Sequence, residues 1–408
     1  MAESPRLSVE IGELVVAHIE MRRWNDLRCR YTSDAFERWP DNTPVLSCSL
    51  PLGPGPLQAT GFCRGLLAEG RALDAMASLA GVATNDTFGL LARYGRDVAG
   101  AITLIDPRRE TPARTPGFVS YSDDDLDTAI SSLDDNPLGL EDDSELSLAG
   151  IQNKLLLVRD GDRWARPTGG FPSTHILKTG DPRLPGLIEA EHACLALGRA
   201  AGLDAANTRL GQIGTHTCLT VERFDRSHRE EPATRIHQED ACQALGVDPS
   251  DARGRAKYER AGGPSLKDIA AVLDRFATDA LTEMERLLAA TAFAVVVGNA
   301  DAHGKNISLL HEPLGTTRLA PLYDVVPTVL WPALRSELAM TIGDANDVRA
   351  VTRADLIVEA TSWGLPVARA NAVIDELCER ARVALDDVDH EALAEYARAA
   401  VDRLEAER

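Results

Sequence analysis

The stretch Gly298-Asn-Ala-Asp-Ala-His-Gly-Lys-Asn306 carries the strongest chemical signal in the chain. It follows an apolar segment with helical periodicity and precedes a short apolar run over 307–310, which predicts a loop between two buried elements. On this loop Asp301 can accept a proton from a hydroxyl group, and Asn306 can offer its amide oxygen to Mg²⁺. The alternative is that both residues only cap helix ends and shape turns.

A second carboxylate follows at the end of Ala320-Pro-Leu-Tyr-Asp324. An Asp and an Asn five positions apart, followed later by another Asp, are arranged as in the catalytic loop and the metal-binding segment of protein kinases. Asp301 would then be the base, and Asn306 and Asp324 would hold the metal. Taken alone, Asp324 could equally be a turn residue, but the order of the three residues favours a phosphoryl-transfer site.

Upstream, Thr174-His-Ile-Leu-Lys178 has the pattern of a strand that ends in a lysine. Kinases use such a lysine to contact the α- and β-phosphates of ATP, and a glutamate on a helix orients it. Glu191 lies thirteen residues later on a predicted helix and could pair with Lys178. The alternative for each residue is an ordinary exposed surface position.

The segment Ser147-Leu-Ala-Gly-Ile-Gln-Asn-Lys154 lies between an acidic segment and this strand. It lacks the GxxxxGK[ST] pattern, which excludes a Walker-type nucleotide loop. Its small residues Ala149 and Gly150 would nevertheless let backbone amides approach phosphate groups closely. A single glycine turn of this kind is common, so the signal is weak by itself.

Length and charge limit the possible functions. The chain has 408 residues, a length typical of two or three packed units. With 43 Lys and Arg against 63 Asp and Glu, the net charge is −20, which disfavours direct nucleic-acid binding through a broad basic face. Ten acidic residues and no Lys or Arg lie within 122–145. This composition predicts a solvated linker, or alternatively an acidic surface for a basic partner.

Cysteine usage and hydropathy predict the location of the protein. The seven cysteines are scattered singly, without a CxxC pair or zinc-ligand spacing, which is typical of free thiols in a reducing cytosol. The first residues, MAESPRLSVEIGEL, do not have the pattern of a signal peptide. The longest apolar stretch, 287–298, is too short to span a bilayer. We therefore expect a soluble cytoplasmic protein.

Apolar periodicity predicts the elements around these motifs. Strands are predicted over 14–19, 155–158, 175–178 and 218–224. Helices are predicted over 62–81, 185–201, 265–276, 281–297, 353–363, 368–383 and 390–405. The helix over 62–81 would bury a face formed by Leu66, Leu67, Leu73, Met76 and Leu79. A strand-rich part followed by a helix-rich part predicts two lobes with a cleft between them.

Together these segments resemble the HipA family of serine/threonine kinases, the toxin half of bacterial HipBA toxin–antitoxin modules. The resemblance runs through nearly the whole chain. It is carried by DTFGLLARYGRDVAGAI (86–102), SLAGIQNK (147–154), STHILK (173–178), VERFDR (221–226), HQEDACQALG (237–246), KYE (257–259), GNADAHGKN (298–306) and PLYD (321–324).

The resemblance implies a bilobal α+β fold of the protein-kinase type. An N-terminal HipA-type subdomain would occupy residues 1–120 and the acidic linker 121–146. The small kinase lobe with its ATP loop would occupy 147–226, and a mainly helical C-terminal lobe 227–408.

The resemblance also implies the roles of individual residues. Asp301 would be the catalytic base, and Asn306 and Asp324 would hold Mg²⁺. Glu191 would orient Lys178, and Ser147 would be autophosphorylated, although Ser144 is a second candidate. The residues that would bind ATP are Ala149, Gly150, Ile151, Gln152, Asn153, Lys154, Lys178, Glu222, Arg223, Phe224, His303, Lys305 and Tyr323.

The partners implied by the resemblance are a HipB-like helix-turn-helix antitoxin and a protein substrate. Family members phosphorylate aminoacyl-tRNA synthetases such as glutamyl-tRNA synthetase, and contact with DNA would be indirect, through the antitoxin. No membrane partner is expected. Two other classes of function stay open, a co-repressor scaffold that holds a DNA-binding antitoxin and a phosphotransferase for small molecules.

Overall fold

The computed structural model describes residues 5–108, 115–150, 152–227, 229, 232–250, 254–313 and 315–406. These residues form two compact units. Unit 1 comprises Met1–Thr179, Gly211–Glu239 and Leu310–Gly315. Unit 2 comprises Gly180–Leu210, Asp240–Leu309 and Thr316–Arg408.

The helices of the described residues are α1 Ser33–Arg38, α2 Thr60–Gly65, α3 Gly70–Ala80, α4 Thr87–Tyr94, α5 Asp123–Ser131, α6 Leu187–Ala200, α7 Ala241–Ala244, α8 Leu266–Phe276, α9 Ala280–Val297, α10 Arg353–Ser362, α11 Val367–Ala384 and α12 Glu391–Glu405. Short 3₁₀ turns cover Glu259–Ala261, Gly304–Asn306, Thr328–Leu330 and Leu385–Asp387. Among these helices, none combines the length and the apolar character needed to cross a bilayer.

The strands are β1 Arg6–Ile11, β2 Leu14–Arg23, β3 Asp26–Tyr31, β4 Leu57–Gln58, β5 Ile102–Ile105, β6 Gly117–Ser120, β7 Lys154–Asp160, β8 Arg163–Thr168, β9 His175–Thr179, β10 Thr208–Ile213, β11 His216–Glu222, β12 Arg226–Ser227, β13 Thr234–Arg235, β14 Gln238–Asp240, β15 Ser308–His311, β16 Thr317–Leu319, β17 Glu337–Ile342 and β18 Ala345–Asp347. The larger sheets have the orders β4-β3-β2-β1-β5, β10-β11-β9-β7-β8-β6 and β14-β15-β16.

The five-stranded sheet forms the first part of unit 1. In β1, buried Leu7 and Val9 alternate with Arg6 and Ser8, the period of two that places one face of a strand in the core. Strand β1 pairs antiparallel with both β2 and β5. The apolar cluster on this sheet includes Tyr94, which is fully buried.

The helix predicted over 62–81 is two helices. Gly70 has a φ of 57°, a left-handed conformation that interrupts the helical path between α2 and α3. The predicted apolar residues before and after the break therefore do not lie on one continuous helix face. Leu66 and Met76 are buried as predicted, but Leu79 is 41% exposed, so its assignment to the core was wrong.

The acidic segment, for which we predicted a solvated linker, contains the helix α5. Ser122 caps the N-terminus of α5 by accepting a hydrogen bond from the Asp125 amide. Leu126 and Ile130, one turn apart, are buried in an apolar cluster. The three aspartates of the first turn are favoured by the positive end of the helix dipole, so an acidic composition here favours helix formation.

Unit 2 contains most of the helices, as predicted from the C-terminal half. Its central helix α9 packs against α8, α11 and α12. Leu287, Leu288, Phe293 and Val296 are among its fully buried residues. The predicted helices over 185–201, 265–276, 281–297, 353–363, 368–383 and 390–405 correspond to α6 and α8–α12 within two residues at each end.

Candidate functional site

The loop that carries Asp301 begins where α9 ends. Gly298 is the C-cap residue, with a left-handed φ of 74°. A Cβ atom at this position would lie 2.4 Å from Val329 Cγ2 and 2.7 Å from Tyr396 Cε1. Only glycine therefore permits this turn, and the turn directs the following residues away from the helix axis.

Hydrogen bonds hold the backbone of Asp301 from both sides. Its amide donates to Asn299 Oδ1 at 3.0 Å, and its carbonyl accepts from Asn306 Nδ2 at 3.0 Å. The preceding residue is fixed by a 2.9 Å hydrogen bond from the Ala300 amide to Thr328 Oγ1. The side chain of Asp301 is exposed. A carboxylate on a constrained, accessible loop is suited to proton transfer.

The same hydrogen bond orients the carboxamide of Asn306. Because its nitrogen donates to the Asp301 carbonyl, its oxygen is directed the other way. Asp324 has a left-handed φ of 56°, a conformation that Asp and Asn adopt more readily than most residues. An amide oxygen and a carboxylate are hard donors of the type that Mg²⁺ prefers.

These two donors fit a Mg²⁺ ion that completes its coordination with phosphate and water oxygens. The described residues contain no group of three or more His, Cys, Asp or Glu side chains that could hold a metal by themselves.

Lys305 and Tyr323, which we predicted as nucleotide contacts, support the loop from inside. Lys305 is buried, and its Nζ forms an ion pair with Asp240 Oδ2 at 2.9 Å. The hydroxyl of Tyr323 donates to the Lys305 carbonyl at 2.6 Å. Burial raises the pKa of Tyr323 well above its usual range, so the phenol stays protonated. His303 is also buried.

In unit 1, Lys178 and Lys154 are directly opposite each other on β9 and β7. Opposite residues of an antiparallel pair project from the same face of the sheet. Both residues are buried, so two lysines share one face of the sheet. Lysine is a residue type that binds phosphate groups, and the contact of Lys178 with a nucleotide stays a prediction.

The segment before β7 forms a tight loop. Lys154 Nζ donates to the Ala149 carbonyl at 2.9 Å. Gly150 has a φ of 116°, and a Cβ atom there would lie 2.5 Å from Lys154 Nζ, so the loop requires glycine. Gln152 donates to the Thr179 carbonyl at 3.4 Å, and Asn153 donates to Asp134. Ile151 lies outside the described residues.

Ser147, the predicted phosphorylation site, is fully buried. Its Oγ accepts a hydrogen bond from the Ala68 amide at 3.1 Å, and its own amide donates to the Asp97 carbonyl at 3.0 Å. Ser144 is buried as well, and its Oγ accepts from the Glu141 amide at 2.8 Å. In this conformation both hydroxyls are buried, and phosphorylation of either serine stays a prediction.

Residues 222–224, predicted to contact adenine, differ in their surroundings. Glu222 is exposed and Phe224 is half-buried. The guanidinium of Arg223 is buried, where it donates to Asp225 Oδ1 at 2.9 Å and to Ser173 Oγ at 2.8 Å. The Arg223 side chain is therefore held by protein partners, and its contact with adenine stays a prediction.

Arg223 belongs to a buried charge cluster that the sequence did not reveal. The cluster, as we call it below, consists of Asp97, Arg223, Asp225, Arg226 and Arg235. Burial by itself would raise the pKa of Asp225, but Arg223 and Arg226 hold it well below its usual range. Both carboxylates are therefore ionised at neutral pH.

The residues predicted for the site lie in both units. Unit 1 supplies the 149–154 loop and Lys178, whereas unit 2 supplies the 298–306 loop, Asp324 and Glu191. Glu191 is buried on α6, and its pairing with Lys178 stays a prediction.

Sequence reasoning missed two side chains next to the Asp301 loop. The hydroxyl of Tyr258 donates to Asp301 Oδ1 at 3.0 Å, and Asp240 pairs with Lys305. Both residues lie in segments that we quoted for the family resemblance, at 257–259 and 237–246. That resemblance was the only signal that could have identified them, because each is more than 40 positions from its partner.

Comparison with known proteins agrees with this architecture. The family model of the HipA N-terminal domain matches residues 7–105, and that of the HipA-like C-terminal domain matches residues 146–385. The protein named "Putative kinase Y4mE" from Sinorhizobium fredii is 36% identical over 91% of this chain and 90% of its own length.

Two comparisons involve Shewanella oneidensis. Its serine/threonine-protein kinase toxin HipA is 30% identical over 93% of this chain and 88% of its own length. A solved structure of HipA with HipB and operator DNA from strain MR-1 matches with a TM-score of 0.83 and 26% identity. That match covers 98% of this chain and 97% of the solved one.

The structural match confirms the predicted kinase-like α+β fold. Both family models match in the expected order, and a toxin kinase of this family is similar along nearly the whole chain. The chain therefore belongs to the HipA family of kinases.

Proposed function

We propose that this kinase transfers the γ-phosphate of ATP to the hydroxyl group of a protein serine. The observation that carries the proposal is the construction of the 298–306 loop. Asp301 is exposed while its backbone is fixed on both sides, and the same hydrogen bond turns the Asn306 oxygen outward. An accessible carboxylate and an oriented amide oxygen on one loop are what a base and a metal ligand in phosphoryl transfer require, which supports the proposal.

In this mechanism Asp301 accepts the proton of the attacking serine hydroxyl. Lys178 neutralises charge on the nucleotide phosphates, and the glycine at position 150 lets the backbone of the 149–154 loop approach them. Asn306 and Asp324 would hold Mg²⁺, which supplies charge neutralisation at the transferred phosphoryl group when bound. The contribution of the chain itself is positioning and electrostatic stabilisation.

Ser147 is the proposed autophosphorylation site, with Ser144 as the alternative. A phosphate adds about −1.5 to −2 charge, and Ser147 lies fully buried against the Ala68 amide. Phosphorylation is thus incompatible with the conformation described here. We expect it to displace the 147–154 segment, remove the nucleotide loop and silence the kinase.

Mass spectrometry after incubation with Mg²⁺ and ATP tests both proposals. We expect one phosphate on the wild-type chain, mapped to Ser147, and none on Asp301→Asn. Phosphate on both proteins would exclude Asp301 as the base. Normal ATP affinity in the Ser147-phosphorylated protein would contradict the silencing model.

For the protein partners, we propose a HipB-like antitoxin and an aminoacyl-tRNA synthetase substrate. The solved Shewanella relative is in complex with HipB and operator DNA. Since the net charge here is −20, we expect any DNA contact to pass mainly through the antitoxin. The buried thiols of all seven cysteines suit a reducing cytoplasm.

The acceptor distinguishes the proposed function from its alternatives. Incubation with a panel of purified synthetases should give phosphoserine on one of them with the wild type, and none with Asp301→Asn. Transfer to a metabolite would favour a small-molecule phosphotransferase. Absence of transfer, together with tight binding of a helix-turn-helix protein, would favour the scaffold.

A further inference from the structure

The segment Lys257-Tyr258-Glu259 contacts the surroundings of the Asp301 loop at three points. The Lys257 carbonyl accepts from the Gly304 amide at 3.0 Å. The Tyr258 hydroxyl donates to Asp301 Oδ1 at 3.0 Å. The carboxylate of Glu259 accepts from the Thr341 amide at 2.6 Å. All these residues belong to unit 2.

The position of the Tyr258 side chain is fixed by its neighbours. Its ring packs edge-on against His303, with 5.2 Å between the ring centroids, and Lys257 Nζ lies 5.9 Å from the centroid. The Tyr258 carbonyl accepts from the Gly263 amide at 3.0 Å. A Cβ atom at Gly263 would lie 2.5 Å from the Ala256 carbonyl oxygen, so this turn requires glycine.

We infer that Tyr258 is a positioning residue for the proposed base. This inference rests on the proposed function of Asp301. The loop hydrogen bonds fix the Asp301 backbone, and the phenol restrains the Asp301 side chain by donating to Oδ1. When Oδ1 is held, the direction of the second carboxylate oxygen, Oδ2, is defined as well. Oδ2 is then the oxygen that accepts the serine proton.

A competing interpretation assigns the opposite role to the same contact. If the Tyr258 hydroxyl occupied the place of the substrate hydroxyl, it would block the base, and removing it would accelerate the reaction. The two interpretations therefore predict changes of opposite sign for one variant, Tyr258→Phe, which deletes the hydroxyl and keeps the ring.

The experiment measures ADP formation from ATP and Mg²⁺, with water as the acceptor, for the wild type and Tyr258→Phe. Tyr121→Phe is the matched control, because Tyr121 lies beside α5 in unit 1. For Tyr258→Phe we expect the maximal rate to fall about tenfold, with the half-saturating ATP concentration and the Tm near those of the wild type. The control should retain the wild-type rate.

A double-mutant cycle separates positioning from general support of the fold. In the Asp301→Asn background, Tyr258→Phe should cause no further loss of rate, because the carboxylate that it positions is gone. Equal loss in both backgrounds, an unchanged rate, or a faster Tyr258→Phe enzyme would each overturn the inference. Equal, background-level ADP formation by the wild type and Asp301→Asn would instead refute the proposed function, and the inference with it.

Discussion

Two regions of this molecule hold aspartates in fixed positions, but they bury them to different degrees. The buried charge cluster of unit 1 pairs Asp97 and Asp225 with three arginines, and its paired groups are almost completely enclosed. The 298–306 loop of unit 2 instead leaves Asp301 exposed and fixes it with neutral hydrogen-bond partners. Charges that satisfy one another hold parts of a fold in place, whereas a constrained and accessible charge can do chemistry.

The strongest test of this contrast is Arg226→Ala. Arg226 is fully buried and donates to Asp97 Oδ1 at 2.9 Å and to the Ser173 carbonyl at 3.0 Å. Its removal breaks a buried ion pair and takes a donor from the Ser173 and Gly100 carbonyls, so we expect the free energy of unfolding to fall by about 3–5 kcal/mol. Urea denaturation followed by circular dichroism measures this.

Arg183→Ala is the matched control for Arg226→Ala. Arg183 pairs with Asp181 at 2.7 Å, but its side chain is 84% exposed, so the loss should be below about 1 kcal/mol. Equal effects of the two substitutions would remove the distinction between buried and exposed pairs in this protein.

Lowering the pH tests a second buried group of unit 1. His237 Nε2 hydrogen-bonds the Leu46 carbonyl at 2.9 Å, and its Nδ1 accepts from the Ala101 amide at 3.3 Å. Burial, and then the nearby His311, lower the pKa of His237 to about 4. Because the unfolded chain binds this proton near pH 6.5, stability is present at pH 7 and is lost as the pH falls from about 6.5 to about 4.

The expected loss over this window is about 3 kcal/mol. The slope of stability against pH should be smaller in His237→Gln, which cannot titrate. A variant with the slope of the wild type would show that other groups cause the acid sensitivity. Asp97 and Asp225 act in a lower window, because their folded pKa values are depressed and their contribution is lost below about pH 4.

Two substitutions of Asp324 separate chemistry from backbone strain. Asp324→Asn keeps a residue type that tolerates the left-handed φ of 56° but removes the negative charge. We expect phosphate transfer to fall about 100-fold and to need more Mg²⁺, with little change in stability. Asp324→Ala should lose transfer as well and also about 1 kcal/mol of stability.

Steady-state transfer rates across a Mg²⁺ titration and a thermal melt of each variant measure these effects. If Asp324→Asn retained full transfer, Asp324 would not be a metal ligand. If Asp324→Ala were as stable as Asp324→Asn, the left-handed conformation would carry no cost.

Much of this arrangement could be predicted from the sequence because its signals are local. The helices of unit 2 have clear apolar periodicity and end at residues such as Gly298. The loop motif likewise places Asp301, the proposed base, and the Asn306 amide within six residues. Contacts between residues far apart in the sequence could not be predicted in this way. Tyr258 and Asp301, for example, are 43 positions apart.

What the sequence did not show is burial. Arg223 was named through the family resemblance alone, and a sequence does not show that two aspartates and two further arginines enclose it. The acidic composition of 122–145 indicated a solvated linker but did not show that Leu126 and Ile130 lie in an apolar cluster. Burial is a property of tertiary packing, so one-dimensional patterns reveal it only where the apolar period is regular.

The burial of Ser147 would limit the rate of the proposed self-inactivation. If Ser147 is the acceptor, its hydroxyl becomes available only when the segment leaves the Ala68 amide and the Asp97 carbonyl. The rate of modification then equals the fraction of time spent open multiplied by the rate of transfer in the open state. Weakening these two hydrogen bonds would make each kinase molecule stop sooner after synthesis, so the packing of one serine would set how long the kinase works.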